Sequence, residues 1–279
     1  MHLSLYLCPV WCIPGKIRIA SKTRKTMALS LYLRNILIYG LKEPCALSIV
    51  SNKNIIEFKQ YTSIIYIVMT NELIVEEVYV HDVYKHIAHD FSRTRHSVWP
   101  VVQLFIDSIP MSKSCLEIGC GNGKNMLPLN ARDITCIGIE TCLEFIDICK
   151  KQRLNVFYAD CCKLPFTDGV FDYAMSIAVF HHLSTPERRE SALKEMVRIL
   201  RPGGKGLISL WSVENQVDKK FTPGDNLVSW KYKGEEFHRY YHIYTRDMVQ
   251  QFLLCVMDNL QSYEITNHCG NWYILFTKF

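Results

Sequence analysis

The hydrophobic pattern between residues 114 and 211 consists of short apolar runs bounded by turn residues, with one longer helical stretch. Apolar runs of about four to eight residues with such bounds are typical of buried strands. They lie at 115–118, 134–140, 155–160, 173–180 and 205–211. Before the last of them, 186–200 repeats its apolar residues on one helical face, and Arg201-Pro-Gly-Gly204 ends that helix. Strands that alternate with helices predict parallel βαβ units with right-handed crossovers.

Helical and strand patterns also flank this region. Helical periodicity over roughly 76–110 predicts an N-terminal helical element on the active-site side. Near the other end, 262–266 and 271–278 predict an antiparallel hairpin at one edge of the sheet. The pattern therefore favours one α/β domain over residues 69–279.

Residues 1–68 do not show the pattern of a folded domain. Their apolar runs are short and irregular, and residues 1–70 carry nine basic and two acidic residues. We predict a poorly structured or non-native-like extension, with Met69 as the functional start. A basic extension that associates with tRNA or with a membrane is the alternative. No apolar run is long enough to span a bilayer, so we expect no membrane partner.

A glycine-rich turn follows the first apolar run, in the string Glu117-Ile-Gly-Cys-Gly-Asn-Gly123. Gly119, Gly121 and Gly123 allow positive φ and close approach of the backbone to a ligand. A dinucleotide-binding loop spaces its glycines differently and accepts a pyrophosphate. Glu117 would repel a pyrophosphate but suits a cationic ligand without phosphate. Glu140 ends the next run, where a doubly wound fold places the carboxylate that binds a ribose.

This spacing resembles motif I of the class I S-adenosylmethionine-dependent methyltransferases, and "LRPGG" before an apolar strand is similar to the same superfamily. The resemblance implies a Rossmann-like α/β fold, with a mostly parallel seven-stranded sheet and helices on both faces. It also implies S-adenosylmethionine as the cofactor, with Asp160 bonding the adenine amino group. The implied cofactor-binding residues are Glu117, Gly119, Gly121, Gly123, Glu140, Asp160, Cys161 and Ala178.

Three flanking stretches narrow the resemblance. "VYKHIAHDFSRTRHSVWP", "SIAVFHHLSTPERR" and "RYYHIY" resemble the eukaryotic tRNA wobble-uridine carboxymethyl methyltransferases, over residues 78–244. This family implies methyl esterification of 5-carboxymethyluridine at the wobble position. It also implies two partners, the tRNA anticodon loop and a small zinc-binding activator subunit. We find no counterpart in the family for residues 1–68.

The chemistry of such a reaction fits residues near the strand ends. A carboxylate has a pKa near ~4, so it is an anion at pH 7 and needs no general base. Catalysis then requires groups that position the carboxylate. Our candidates are Arg93, Arg95, His181, Arg239 and Tyr241. His182 is a further candidate, for which a packed position below the site is the alternative. Trp99, Trp211 and Trp230 are candidates for stacking an unpaired base.

Two other functions remain open from the residues. A small-molecule O- or C-methyltransferase would share motif I only, and a non-catalytic RNA-binding scaffold would need no chemistry. The Asn/Asp-Pro-Pro-Tyr/Phe motif of amide and amino methylation is absent after the fourth strand. The twelve cysteines include no Cys-x-x-Cys pair, so we expect reduced thiols, no metal site, and a cytoplasmic location with the nucleus as an alternative.

Overall fold

The computed structural model describes residues 4–6, 47–51, 54–58, 71–214 and 221–279. The chain divides into two compact units, Met1–Met69 and Thr70–Phe279. The first unit contains β1 (Ser4–Tyr6), β2 (Leu47–Ser51) and β3 (Asn54–Phe58), which form an antiparallel sheet in that order. Met69 lies outside the described residues. Its role as the start, and the nature of residues 1–68 as an extension, therefore stay predictions.

The second unit begins with an almost unbroken helical segment. It runs through α1 (Asn71–Glu76), a π-helical turn (Glu77–His81) and α2 (Asp82–Thr94), and α3 (Pro100–Asp107) follows after a short loop. Pro100 occupies the first turn of α3, where its missing N–H costs nothing. The helical element predicted near 76–110 is confirmed. Among the described residues, none of the helices is long and apolar enough to cross a membrane.

Strands and helices then alternate as the hydrophobic pattern predicts. In chain order the elements are β4 (Ser114–Ile118), α4 (Met126–Asn130), β5 (Thr135–Glu140), α5 (Leu143–Lys151), β6 (Val156–Tyr158), β7 (Phe171–Ile177), a 3₁₀ turn (Phe180–His182), α6 (Pro186–Ile199), β8 (Leu200–Trp211), β9 (Gly224–Tyr232), β10 (Glu235–Ile243), α7 (Arg246–Leu253), a second 3₁₀ turn (Leu254–Asn259), β11 (Leu260–His268) and β12 (Asn271–Lys278).

Seven of these strands form one sheet in the order β11-β12-β8-β7-β4-β5-β6. The five strands from β8 to β6 pair in parallel, and β12 pairs antiparallel with both β8 and β11. The expected mostly parallel seven-stranded sheet is confirmed. Strand order reverses between β4 and β7, and ligands of open α/β sheets bind at the carboxyl ends of strands beside such a switch. The glycine loop leaves β4 at this point.

Two strand regions differ from the hydrophobic pattern. Arg201-Pro-Gly-Gly204 follows the end of α6, as predicted, but β8 already begins at Leu200 and includes these residues, whereas the predicted strand begins at Lys205. A side chain at Gly204 would meet the Asp172 carbonyl at 3.0 Å, so glycine lets the strand run close to its neighbour. The hydrophobic pattern predicts no strand at β9, which pairs antiparallel with β10. Only five of the eighteen positions in this two-stranded sheet are buried, so its hydrophobic signal is weak.

Candidate active site

A cavity of about 640 Å³ lies beside the carboxyl ends of β4 and β5. Its walls come from the glycine loop, from the helical segment that contains α2, and from the β9–β10 hairpin. Seven of the eight predicted cofactor residues line it: Glu117, Gly119, Gly121, Glu140, Asp160, Cys161 and Ala178. Three of the five predicted catalytic residues also line it: Arg95, Arg239 and Tyr241. The sheet therefore brings both predicted groups to one chamber.

The three glycines of the loop have different surroundings. A Cβ at Gly121 would meet nothing within 4 Å, so this glycine borders open space at φ +52°. A Cβ at Gly123 would lie 2.2 Å from the Leu154 side chain, and Gly123 does not line the cavity. Gly119 faces the cavity but also packs against Val179. The prediction that Gly123 contacts the cofactor is replaced by a packing role for this residue.

The carboxylate of Glu140 holds the glycine loop against the end of β5. It accepts hydrogen bonds from the Gly121 N–H at 2.8 Å and from the N–H groups of Thr141 at 2.8 Å and Cys142 at 3.0 Å. Charge-assisted bonds of this kind fix a carboxylate in one orientation. The residue expected to bind the ribose thus also shapes the loop that cradles the cofactor.

Glu117 provides the test of whether the cleft fits S-adenosylmethionine. It is 1% exposed, and its Oε1 accepts a hydrogen bond from Asn125 Nδ2 at 2.7 Å. Its Oε2 and the Oδ1 of Asn125 are buried, and neither has a partner among the described residues. Buried acceptors require donors. The α-ammonium group of S-adenosylmethionine supplies three N–H donors and a positive charge, so the donor set of this ligand fits.

Burial raises the pKa of Glu117 from its usual value of 4.5 to about 8. A carboxyl group whose folded pKa is raised contributes stability below pH 4.5, and this contribution is lost as the pH rises through about 8. We expect Glu117→Gln to match the unchanged protein near pH 4 and to exceed its free energy of unfolding at pH 8. Affinity for S-adenosylmethionine should fall, because the ammonium group loses its anionic partner. Urea unfolding across this pH range and calorimetric titration measure the two effects. Parallel stability curves for the two proteins would contradict the expectation.

A partly buried ion network connects the cofactor cleft to the first helix of the unit. The Arg188 guanidinium lies 2.9 Å from Glu76 Oε1 and 3.1 Å from Asp160 Oδ2. Burial opposes ionisation of Asp160, but the Cys162 N–H and Arg188 outweigh it and lower the pKa of this carboxyl. Glu76 is 2% exposed and also accepts from the Ser184 N–H at 2.7 Å. Sequence reasoning missed Glu76 and Arg188, because only the fold brings residues 112 positions apart together.

One group of metal-ligating side chains occurs in the described part of the chain. The ligand atoms of Asp160, Cys161 and Cys162 lie within 4.8 Å of one another. The Asp160 carboxylate is already bound by Arg188 and by the Cys162 N–H. The neighbouring Cys162 and burial raise the pKa of the Cys161 thiol, which opposes the thiolate that a metal needs. We assign no metal to this group.

The two adjacent histidines have different places. His182 lines the cavity, whereas His181 lies behind it, 0% exposed, and stacks on the Tyr241 ring at 4.8 Å. The expectation that His181 faces the pocket is therefore wrong. The Nδ1–H of His182 donates to the Tyr240 carbonyl at 2.7 Å, which leaves Nε2 to accept from the Tyr84 hydroxyl at 3.0 Å. Burial lowers the pKa of His182 to about 3, so this ring is neutral at pH 7.

Arg239 is the buried cation of the cavity. It is 5% exposed, and its Nη1 donates to the Tyr241 hydroxyl at 2.9 Å. Within the described residues it has no acidic partner at ion-pair distance, and its Nε has no hydrogen-bond partner. Burial works against its charge, but the hydroxyl groups of Tyr241 and Tyr84 raise its pKa, so it stays charged. A buried cation of this kind requires an anion from outside the described protein atoms.

Of the two remaining predicted cations, Arg93 lies outside the cavity and Arg95 lines it, as the predicted aromatic residues Trp99 and Trp211 also do. Arg93 is 75% exposed and pairs with Asp90 at 2.8 Å, so it lies outside the cavity, contrary to expectation. Arg95 lines the cavity with its guanidinium 4.9 Å from the Trp230 ring centre. Trp211 packs on Tyr241 with ring centres 4.2 Å apart, and Lys124 Nζ lies 5.2 Å from the Trp99 ring.

A parallel sheet with this strand order, this loop and these carboxylates defines a class I S-adenosylmethionine-dependent methyltransferase. The family model described as a methyltransferase domain matches residues 116–208. Solved structures have the same fold. The S-adenosylmethionine-dependent methyltransferase of Methanosarcina mazei matches with a TM-score of 0.53 and 18% identity, over 66% of this chain and 99% of that one. A chain from the complex of the Haloferax volcanii Trm112 methyltransferase activator with a methyltransferase matches with a TM-score of 0.53 and 14% identity, over 73% and 97%.

Sequence relatives define the family within this class. The tRNA (carboxymethyluridine(34)-5-O)-methyltransferase of Schizosaccharomyces pombe is 31% identical over 231 residues, which cover 74% of this chain and 99% of that protein. The chain belongs to this family, which confirms the resemblance seen in the sequence. The protein of the same name in Xenopus tropicalis is 44% identical over 144 residues, or 52% of this chain. The chain spans only 21% to 23% of the length of the relatives of this name in Xenopus tropicalis, Macaca fascicularis and Mus musculus.

Proposed function

We propose that this protein transfers the methyl group of S-adenosylmethionine to the carboxylate of 5-carboxymethyluridine at the wobble position of tRNA, giving the methyl ester. The observation that carries the proposal is the position of Arg239. This buried guanidinium lines the same cavity as the glycine loop and lacks an acidic partner among the described residues. A carboxylate substrate supplies the missing charge. The names of the family's relatives support the same substrate.

Different residues of the cavity would bind the cofactor and orient the substrate carboxylate. Glu117 would hold the ammonium group of the cofactor, Glu140 its ribose and Asp160 its adenine. When bound, the cofactor supplies a methyl group on a positively charged sulfur. Arg239 would orient the substrate carboxylate toward that methyl group. His182 is neutral and holds no proton that the reaction needs, because the carboxylate is already ionised.

The same proposal includes the tRNA anticodon loop and a small zinc-binding activator subunit as partners. β6 lies at an open edge of the sheet, where Phe157 and Tyr158 are 49% and 66% exposed. An open strand edge with apolar side chains is a place where a partner can add a strand. A cytoplasmic location also belongs to the proposal, since the nine cysteines of the described part are free thiols, as in a reducing compartment.

Incubation of the full chain with S-adenosylmethionine and tRNA that carries 5-carboxymethyluridine tests the proposal. We expect nucleoside analysis to show the methyl ester at the wobble position, with higher yield when the activator subunit is co-purified. Unmodified wobble uridine serves as the matched control, because it lacks the carboxylate and should accept no methyl group. Transfer to free small molecules but not to tRNA would support the small-molecule alternative. Equal yield of the methyl ester and equal solubility of the chain without the activator subunit would contradict the proposal that this subunit is a partner.

A further inference from the structure

Trp230 lies beside two of the three guanidinium groups that line the cavity, those of Arg95 and Arg239. The Cζ atoms of Arg95 and Arg239 each lie 4.9 Å from the centre of its ring, and the Phe91 ring lies 5.8 Å away. Trp230 lies on β9, in register with Phe237 of β10, so the hairpin carries the indole into the cavity wall. Because two guanidinium groups already lie over this ring, we no longer expect Trp230 to stack an unpaired base.

Two buried donors in this corner of the cavity lack partners. The indole Nε1–H of Trp230 and the Nε–H of Arg239 are shielded from solvent, and neither has a hydrogen-bond partner among the described residues. A buried donor without a partner costs about 1–3 kcal/mol. Since the Arg239 guanidinium lies over the Trp230 ring, with Cζ 4.9 Å from the ring centre, one ligand that supplies acceptors can serve both residues.

The corner offers donors and positive charge, with neutral histidines behind it. Arg239 is charged and 5% exposed, and His182 is neutral in the tautomer whose Nε2 is already bonded to Tyr84. The Tyr241 hydroxyl is already bonded to Arg239 Nη1. A ligand in this corner therefore meets N–H donors. If the ligand itself carried an N–H group there, that group would face another donor and would lack an acceptor.

We propose that Trp230 Nε1 and Arg239 Nε form a carboxylate subsite, which selects a carboxylate over a carboxamide of the same shape. This inference rests on the proposed function and names the group that sets its specificity. Each oxygen of a carboxylate accepts one of the two N–H bonds and keeps a lone pair for attack on the methyl group. A carboxamide turns its NH₂ toward one donor, which leaves that donor unpaired and the NH₂ without an acceptor.

Trp230→Phe tests the subsite, because it keeps an aromatic ring beside the two arginines and removes the indole N–H, together with part of the ring system. Calorimetric titration compares the binding of the nucleosides 5-carboxymethyluridine and 5-carbamoylmethyluridine. We expect the preference for the carboxylate to fall about ten- to hundredfold, the worth of one hydrogen bond to a charged group. The affinity for S-adenosylmethionine should stay within about twofold, since no described contact joins Trp230 to Glu117, Glu140 or Asp160.

Trp272→Phe is the matched control. Its Nε1–H donates to the Tyr244 carbonyl at 3.1 Å, and Trp272 does not line the cavity, so nucleoside preference should not change. An unchanged preference in Trp230→Phe overturns the subsite. Because binding is measured without transfer, the two proposals fail separately. Selective binding without methyl transfer to tRNA contradicts the proposed function, whereas transfer without selective binding contradicts the subsite.

Discussion

Replacement of Arg239 by Met is expected to lower kcat/KM for methyl transfer to tRNA by at least about 30-fold. The guanidinium is the buried cation of the cavity, and it has no acidic partner among the described residues. Removal of one partner from a buried, hydrogen-bonded charge pair costs about 2–5 kcal/mol, and each 1.4 kcal/mol is about tenfold. Steady-state kinetics with tRNA that carries 5-carboxymethyluridine measure the loss.

The affinity for S-adenosylmethionine separates this effect from general damage. Among the described contacts, Arg239 has no hydrogen bond or ion pair with Glu117, Glu140 or Asp160, so the dissociation constant of the cofactor should change less than about twofold. Arg246→Met is the matched control, because Arg246 is an exposed arginine at the start of α7. If Arg239→Met retained more than a tenth of the kcat/KM, the proposed role of Arg239 in the reaction would be contradicted.

Replacement of Glu76 by Gln is expected to lower the free energy of unfolding by about 3 kcal/mol. Glu76 is 2% exposed and accepts hydrogen bonds from both Arg188 Nε and the Ser184 N–H. Loss of one partner of a buried ion pair costs about 3–5 kcal/mol. The lower end applies, because the Arg188 side chain is 22% exposed and keeps Asp160 as a partner. Urea unfolding followed by circular dichroism measures the change.

The neighbouring acid provides the control for this second prediction. Glu77 is exposed and lies next to Glu76, at the start of the π-helical turn, so Glu77→Gln removes the same charge without breaking the network. It should change the free energy of unfolding by less than about 0.5 kcal/mol. Equal effects of the two substitutions would mean that the Glu76–Arg188 pair contributes nothing specific.

The sheet was predictable because its signals are local. The central parallel strands β4, β5 and β7 are largely buried on both faces, so each reads as an apolar run between turn residues. The cofactor residues follow from the same signals, because Glu117, Glu140 and Asp160 stand at or near the ends of consecutive strands. β9 and β10 escaped prediction because a small two-stranded sheet leaves many polar residues exposed, and its hydrophobic contrast is low.

The residues proposed to bind the substrate were harder to predict, since a shift of one or two positions along the chain decides which side chain faces the cavity. His181 and His182 are adjacent in a 3₁₀ turn, and the tautomer and burial of His182 depend on the Tyr240 carbonyl and on Tyr84. Arg93 and Arg95 are two positions apart near the end of α2, and only Arg95 reaches the cavity. No periodicity in the sequence distinguishes the members of these pairs.

The sequence by itself determined the class of fold, the cofactor loop and the family, because these depend on neighbouring residues and on strand ends. Tertiary structure alone decided which cation is buried without an acidic partner among the described residues, which histidine is exposed to the cavity, and which donors remain unpaired. Such properties arise from desolvation and from contacts between residues far apart in the chain. The link from Glu76 to Arg188 and the approach of Trp230 to Arg239 are both of this kind.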